Sequence, residues 1–269
     1  MLEAIKETVS FIKERTGKKP EVAIILGTGL GQIGEDIEVS QIIDYHDIPH
    51  FPVSTVEGHK GRLIFGRLGG KEVVALQGRF HYYEGYTMQE VTFPVRVLKY
   101  LGISTLIVSN AAGGMNPEFE VGDIMIINDH INLMPNPLIG KHYTEFGERF
   151  PDMSETYNRE LIAKAREIAA SEGIRVRTGC YVGVTGPTLE TPKEYEYFRI
   201  IGGDAVGMST VPEAIVAHQM GITIFAVSVI TDLGVPGKII EITHQDVQEI
   251  ASGAAPSLTR MIEKLIAAI

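Results

Sequence analysis

Cysteine is almost absent. Cys180 stands alone in 269 residues, which excludes an intrachain disulfide framework and a cysteine-based zinc site. Positive charge is also scarce: 24 lysines and arginines face 34 acids, for a net charge of −10. No field draws polyanions in from a distance, so neither nucleic acid nor an anionic membrane is an expected partner. A small anion held by a few local donors stays compatible. The first segment, MLEAIKETVSFIKERTG, carries lysines and glutamates at intervals and reads as neither a signal-peptide core nor a membrane span. The expectation is a cytoplasmic protein. Internal repeats, low-complexity tracts and long Ser/Gly linkers are missing, which favours one continuous domain over 1–269. The histidines show no H-E-x-x-H spacing, so no metal site is expected.

What is present is ordinary in bulk and specific in detail. Apolar residues make up 44% and charged residues 22%, enough to bury a substantial core. Short apolar runs at 22–26, 73–76, 105–109, 124–127 and 222–230 read as strands covered on both faces of a central α/β sheet. Amphipathic segments at 2–14, 89–101, 158–172, 192–201, 211–220 and near 244–267 read as helices. Two helix starts carry a threonine followed three residues later by glutamate, Thr191 with Glu194 and Thr210 with Glu213, with proline in the first turn. Ser209 therefore sits at a helix mouth, where free N–H groups favour an anion.

The loop after the first strand, Gly27-Thr28-Gly29-Leu30-Gly31-Gln32-Ile33-Gly34, matches the dinucleotide pattern G-x-G-x-x-G from Gly29 onward. That pattern must open a helix crossing to a parallel strand. The next strand-like run, 39–45, follows too soon for such a crossover. With no G-K-[ST] sequence either, what remains is a tight turn with a threonine hydroxyl, suited to one phosphate or to structure alone.

Residues 77–86, QGRFHYYEGY, follow a strand and so lie at the carboxyl edge of the sheet. Arg79 and His81 are two apart and point the same way if extended. Guanidinium beside imidazole makes a phosphate clamp, and Glu84 is placed to orient the imidazole. Residues 109–114, SNAAGG, end another strand with side chains small enough for close backbone approach. His46, His50, His142 and His218 show no supporting partner, and His130 reads as structural.

Long strings carry a resemblance. GRFHYYEGY at 78–86, VTFPVRV at 91–97, SNAAGGMNPEFEVGDIM at 109–125 and DAVGMSTVPE at 204–213 occur in order, and through them the chain resembles the trimeric purine nucleoside phosphorylases, a family that includes the methylthioadenosine phosphorylases. The likeness runs from near residue 26 to the final helix. It implies one α/β domain with a central mixed β-sheet flanked by helices. The implied reaction is a pentosyltransferase one: phosphorolysis of purine ribonucleosides and deoxyribonucleosides to free base and (deoxy)ribose 1-phosphate. Phosphate is a co-substrate, and no metal or organic cofactor is implied. The resemblance puts phosphate against Thr28, His59, Arg79, His81, the Ala111 backbone and Ser209. It puts ribose against Tyr83, Met208 and His244, and the purine among Tyr181, Glu190, Met208 and Asp232. His81, Glu190, Asp232 and His244 are the implied catalytic residues. Phe150 matches an aromatic that closes the neighbouring subunit's pocket, so a homotrimer is implied.

Two positions depart from the family pattern. Leu189 replaces a common phenylalanine and loses edge contact with the base. Asp232 stands where members preferring inosine and guanosine usually have asparagine, and an ionised aspartate accepts but cannot donate. Aspartate there resembles the methylthioadenosine branch, whereas Glu190 and His244 resemble the 6-oxopurine branch. The expectation is inosine and guanosine, with adenosine as an additional substrate; methylthioadenosine phosphorolysis is the alternative. A hydrolase would have no use for the Arg79–His81 clamp, and a non-catalytic sensor no use for two acids beside a base.

Overall fold

Alternation along the first apolar run sets the layering of the molecule. In the computed structural model, which describes residues 1–28, 30–56 and 60–269, strand β1 (Val22–Leu26) is buried throughout. Ala23 and Ile25 face one core, shared with helices α1 (Leu2–Thr16) and α2 (Met88–Leu101). Val22, Ile24 and Leu26 face a second core, packed by helix α3 (Arg159–Ser171) and helix α6 (His244–Ala267). Both faces are covered, so the run is apolar at every position. Each aliphatic side chain buried in this way stabilises the fold by about 1.5–3 kcal/mol.

The other strands are β2 (Glu38–Asp44), β3 (Arg62–Leu68), β4 (Lys71–Gln77), β5 (Thr105–Gly114), β6 (Ile124–Asn132), β7 (Val176–Gly183), β8 (Ala205–Gly207) and β9 (Thr223–Leu233). Helices α4 (Pro192–Ile200) and α5 (Val211–Gln219) complete the elements used below. Among the described residues the strands form one mixed sheet in the order β2-β3-β4-β1-β5-β8-β7-β6-β9, with β9 also pairing β5. Thus β5, β8, β7, β6 and β9 close into a ring, and β1, β4, β3 and β2 extend from it. The expected central mixed sheet with flanking helices is present.

The strands that periodicity did not reveal have physical reasons for hiding. Arginines at both ends and Gly66 interrupt β3; a Cβ on Gly66 would lie 2.4 Å from the Glu38 carbonyl oxygen. β8 is three residues long. The dinucleotide reading fails as expected, since β2 pairs antiparallel with β3 and β1 pairs with β4 and β5.

One gap in the pairing creates room for a site. On one edge of β5, β1 pairs as far as Val108 and β8 takes over only at Gly113. Between them, among the described residues, Ser109 to Ala112 have no strand beside them on that edge. Just past the end of β1, at Gly27, a Cβ would lie 2.5 Å from the Ser109 carbonyl oxygen and 2.8 Å from the Asn110 Cα. Only glycine permits this approach. Gly27→Ala is therefore expected to lower stability by about 1–3 kcal/mol, the usual range for overpacking, while raising the phosphate KM; urea unfolding and phosphate titration of activity check the two effects together.

Candidate active site

The cavity at this gap encloses about 580 Å³, within the usual range for small-molecule sites. It is lined by ends and loops from across the sheet: Thr28 after β1, Arg79, His81 and Tyr83 after β4, Ala111 on β5, Met208 and Ser209 after β8, Asp232 on β9, Glu190 before α4, and His244 with Val247 at the start of α6. Ten of the twelve residue positions expected around phosphate, ribose and base thus converge. His59 lies outside the described residues, and Tyr181 stands apart.

Arg79 anchors the phosphate end. Gly78 turns the chain with φ 125°, and the guanidinium then enters the protein almost fully buried. Nη1 donates to Ser209 Oγ at 2.5 Å and to Thr210 Oγ1 at 3.2 Å. Nη2 donates to the Ser109 carbonyl at 2.7 Å. Nε lies 3.8 Å from Glu213 Oε1, an equally buried carboxylate. One cation so ties the end of β4 to β5 and to the start of α5, and its direction is fixed before any ligand arrives.

Thr210 corrects an expectation. Its side chain does not cap α5. The residue adopts φ 69°, a conformation that costs a non-glycine residue on the order of 1–3 kcal/mol. The hydroxyl instead accepts from Arg79 and from Asn110 Nδ2 at 2.8 Å. Glu213 is likewise the buried partner of Arg79 rather than half of a capping box. The box at Thr191 and Glu194 does form. The signal available in the sequence was an acid inside the otherwise apolar helix VPEAIVAHQ, which a capping motif explained away.

His81 is buried and held from one side. Its Nδ1 is 3.0 Å from Glu84 Oε1, which also accepts from the His81 backbone N–H at 2.8 Å. Glu84 Oε2 accepts from the Thr55 N–H and hydroxyl at 2.8 and 2.6 Å. Burial works to raise the Glu84 carboxyl, but the donors from His81 and Thr55 outweigh it and pull it down to about 2. Burial pushes His81 below its ordinary value despite the hydrogen bond to Glu84. The imidazole is therefore neutral near pH 7, with the Nδ1 proton committed to Glu84. Tyr83 stacks on the ring, with centroids 4.7 Å apart and planes 15° apart.

Two carboxyls occupy the other end. Burial, reinforced by Asp232, pushes Glu190 up to about 7. Asp232 accepts from the Tyr195 hydroxyl at 2.8 Å and from the Thr231 hydroxyl at 3.1 Å. Tyr195 of α4, a residue that no sequence motif marked, lies just behind them.

Tyr181 is a second correction. It is fully buried and does not line the cavity. It sits on β7 opposite Ala205 of β8, and its hydroxyl receives the Ser209 N–H at 3.4 Å. A Cβ on Gly207 would lie 2.3 Å from that hydroxyl, so β8 runs between the ring and the cavity. Tyr181 braces the wall from behind. Phe150 is 89% exposed and far from lining its own chain's cavity. His130 is structural as read, its Nδ1 3.0 Å from the Tyr157 hydroxyl. His46, His50 and His218 do have partners: Asp47, Glu7 and the Asp152 carbonyl.

The profile of the phosphorylase superfamily matches residues 21–267. A Geobacillus stearothermophilus protein named purine nucleoside phosphorylase 1 is 50% identical over 264 residues, covering 98% of this chain and 96% of its own length. The Schistosoma mansoni purine nucleoside phosphorylase solved with adenosine has a TM-score of 0.95 at 40% identity, over 100% of this chain and 98% of that one. The same organism's purine nucleoside phosphorylase solved with inosine has a TM-score of 0.94 at 39% identity, over 100% and 97%.

Two outcomes test the geometry. Glu213→Ala leaves a buried guanidinium without its carboxylate and is expected to cost about 3 kcal/mol, the low end for a broken buried pair, read by chemical denaturation. Glu84→Gln keeps the shape but removes the charge that orients His81. Activity at limiting phosphate is expected to fall about 10–100-fold, as when an orienting partner is lost, with an unchanged melting temperature to within a few degrees.

Proposed function

The chain belongs to the phosphorylase superfamily and is an enzyme that cleaves purine nucleosides with phosphate, a pentosyl transfer; from that premise we propose which residues do the work and which purines it takes. The observation that carries the reading is one cavity with a donor cradle at one end and two carboxyls at the other. Phosphate binds among Thr28, Arg79, His81, the Ala111 N–H and Ser209, with His59 as a further donor. The purine lies against Glu190, Met208 and Asp232. Tyr83 and Met208 pack the ribose between them, and His244 meets its 5′-hydroxyl at the mouth.

The chemistry follows from this spacing. The bond from C1′ to N9 lengthens first, leaving positive charge on the ribose and negative charge on the purine. Phosphate, held beneath C1′ by Arg79 and Ser209, stabilises that cation and then bonds to C1′ from the face opposite the base. The product is ribose 1-phosphate with inverted configuration. Neutral His81, oriented by Glu84, takes a proton from a monoprotonated or diprotonated phosphate and so increases the charge on the attacking oxygen. Holding both reactants in register is worth on the order of 7–11 kcal/mol of the barrier. At the base end, a carboxyl poised near neutrality stabilises charge that develops only as the bond breaks.

Inosine and guanosine are the substrates, with adenosine in addition. Glu190, ionised, accepts N1–H of a 6-oxopurine; Asp232 accepts from a 6-amino group or from protonated N7. The Schistosoma relatives solved with adenosine and with inosine support this breadth. The exposed His244 at the mouth suits a free 5′-hydroxyl better than a methylthio group. Phe150, exposed on its own chain, completes the pocket of a neighbouring protomer in a homotrimer. Among the described residues no helix is long and apolar enough to cross a membrane.

Phosphate-dependent turnover of inosine, guanosine, adenosine and methylthioadenosine tests the reading. Inosine and guanosine are expected to lead with adenosine measurable; a wide margin for methylthioadenosine overturns it. Asp232→Asn is expected to move the adenosine-to-inosine ratio toward inosine by at least tenfold, because the amide supplies the donor to O6 that an aspartate lacks.

A further inference from the structure

Gln77 is the last residue of β4 and stands between two other strand ends, paired with Leu26 of β1 and with Arg62 of β3. It is 2% exposed and does not line the cavity. Its amide is nevertheless engaged at both ends. Arg62 Nε donates to Oε1 at 2.6 Å, and Nε2 donates to the Gly31 carbonyl at 2.8 Å. An arginine can only donate, so Arg62 fixes which end of the amide is oxygen and turns the NH2 toward Gly31.

The glycine loop after β1 has room for that NH2. The Leu30 N–H donates to the Gly27 carbonyl at 3.1 Å, closing the turn that carries Thr28 to the cavity. The chain then enters the short turn Gly31–Glu35. A Cβ on Gly34 would lie 3.4 Å from Gln77 Nε2 and 3.1 Å from Ile64 Cδ1, so a side chain there would crowd the amide. Gly34, the last glycine of the false dinucleotide pattern, thus leaves space for a glutamine.

Gln77 also holds neighbouring segments through its backbone. Its carbonyl accepts the Gly61 N–H at 2.9 Å, and the Gly61 carbonyl in turn accepts the Tyr45 N–H at 2.8 Å. The next residue, Gly78, is fixed by the Tyr45 hydroxyl, which donates to its carbonyl at 2.7 Å. Arg79 follows directly. Thr28 and Arg79 both line the cavity but are far apart in the chain, and the Gln77 side chain spans the space between their segments.

We propose that Gln77 is a positioning residue for phosphate: its amide sets the glycine loop against the end of β4, so that Thr28 and Arg79 meet one anion together. The inference rests on the placement of phosphate at Thr28 and Arg79 in the reading above. Arg62 acts one step further out, as the donor that keeps the amide from turning over. A reversed amide would set its oxygen against the Gly31 carbonyl oxygen, two acceptors facing each other, and would push the loop away.

Gln77→Glu tests this at pH 8. The carboxylate keeps the shape of the side chain and its bond to Arg62, but it cannot donate to Gly31. Phosphate KM is expected to rise about tenfold or more, since a small misplacement of a binding group is costly, while inosine KM at saturating phosphate stays within about twofold. Gln77→Met, which loses both hydrogen bonds, is expected to shift phosphate KM in the same direction. An unchanged phosphate KM in Gln77→Glu, or a parallel rise in both KM values, overturns the proposal. Arg79→Lys, measured alongside, separates it from the placement of phosphate. If Arg79→Lys raises phosphate KM and Gln77→Glu does not, only the role of Gln77 fails. If neither does, the placement fails as well. Should the Gln77 variants not fold, Arg62→Met decides by the same readout: a rise confined to phosphate KM supports the proposal, and a lowered melting temperature with phosphate KM unchanged overturns it.

Discussion

The buried guanidinium of Arg79 is the contact on which the rest of the site depends. It joins the end of β4 to the Ser109 carbonyl on β5 and to Ser209, Thr210 and Glu213 at the start of α5. These elements are distant in the chain, and no apolar contact would fix their relative direction so closely. A buried ion pair is a poor source of net stability, because desolvation offsets much of its attraction. Its return here is orientation: the donors of a phosphate cradle are aimed before the ligand binds, so binding pays little to arrange them. The positive φ at Thr210 belongs to the same arrangement, since it turns the hydroxyl toward Arg79 and Asn110 rather than toward the helix it precedes.

The gap in the pairing of β5 gives that cradle somewhere to be. β1 leaves β5 at Val108 and β8 joins at Gly113, so a stretch of strand edge faces open space instead of another strand. Strand edges carry unsatisfied N–H groups, and an anion can satisfy them. The closed ring of β5, β8, β7, β6 and β9 makes the gap rigid. Phosphate and base ends are then two ends of one cavity set by one sheet.

At the base end electrostatics runs the other way. Acids are gathered rather than cations, and burial, reinforced by Asp232, pushes Glu190 up to about 7. Asp232 offers only acceptors when ionised, and the Tyr195 hydroxyl donates to it.

The reach of the sequence follows the range of the forces involved. Helices and long strands were legible because burial imprints its period on neighbouring residues; 22–26, 192–201 and 244–267 are cases. β8 was not legible, since three residues carry no period, and β3 was broken by arginines and a glycine needed for close packing. Motif strings marked Arg79, His81 and Ser209, which line the cavity together. What they did not mark was partnership. That Glu213 answers Arg79, that Tyr181 lies behind β8 instead of in the pocket, and that Tyr195 donates to Asp232 depend on which residues meet across the sheet. By itself the sequence determined the α/β class and marked the charged and polar side chains that gather at one cavity. Only the tertiary structure decided how the Arg79 guanidinium is aimed and which side chains answer it, because hydrogen bonds and charge interactions act over a few ångströms of space between residues that the chain holds far apart.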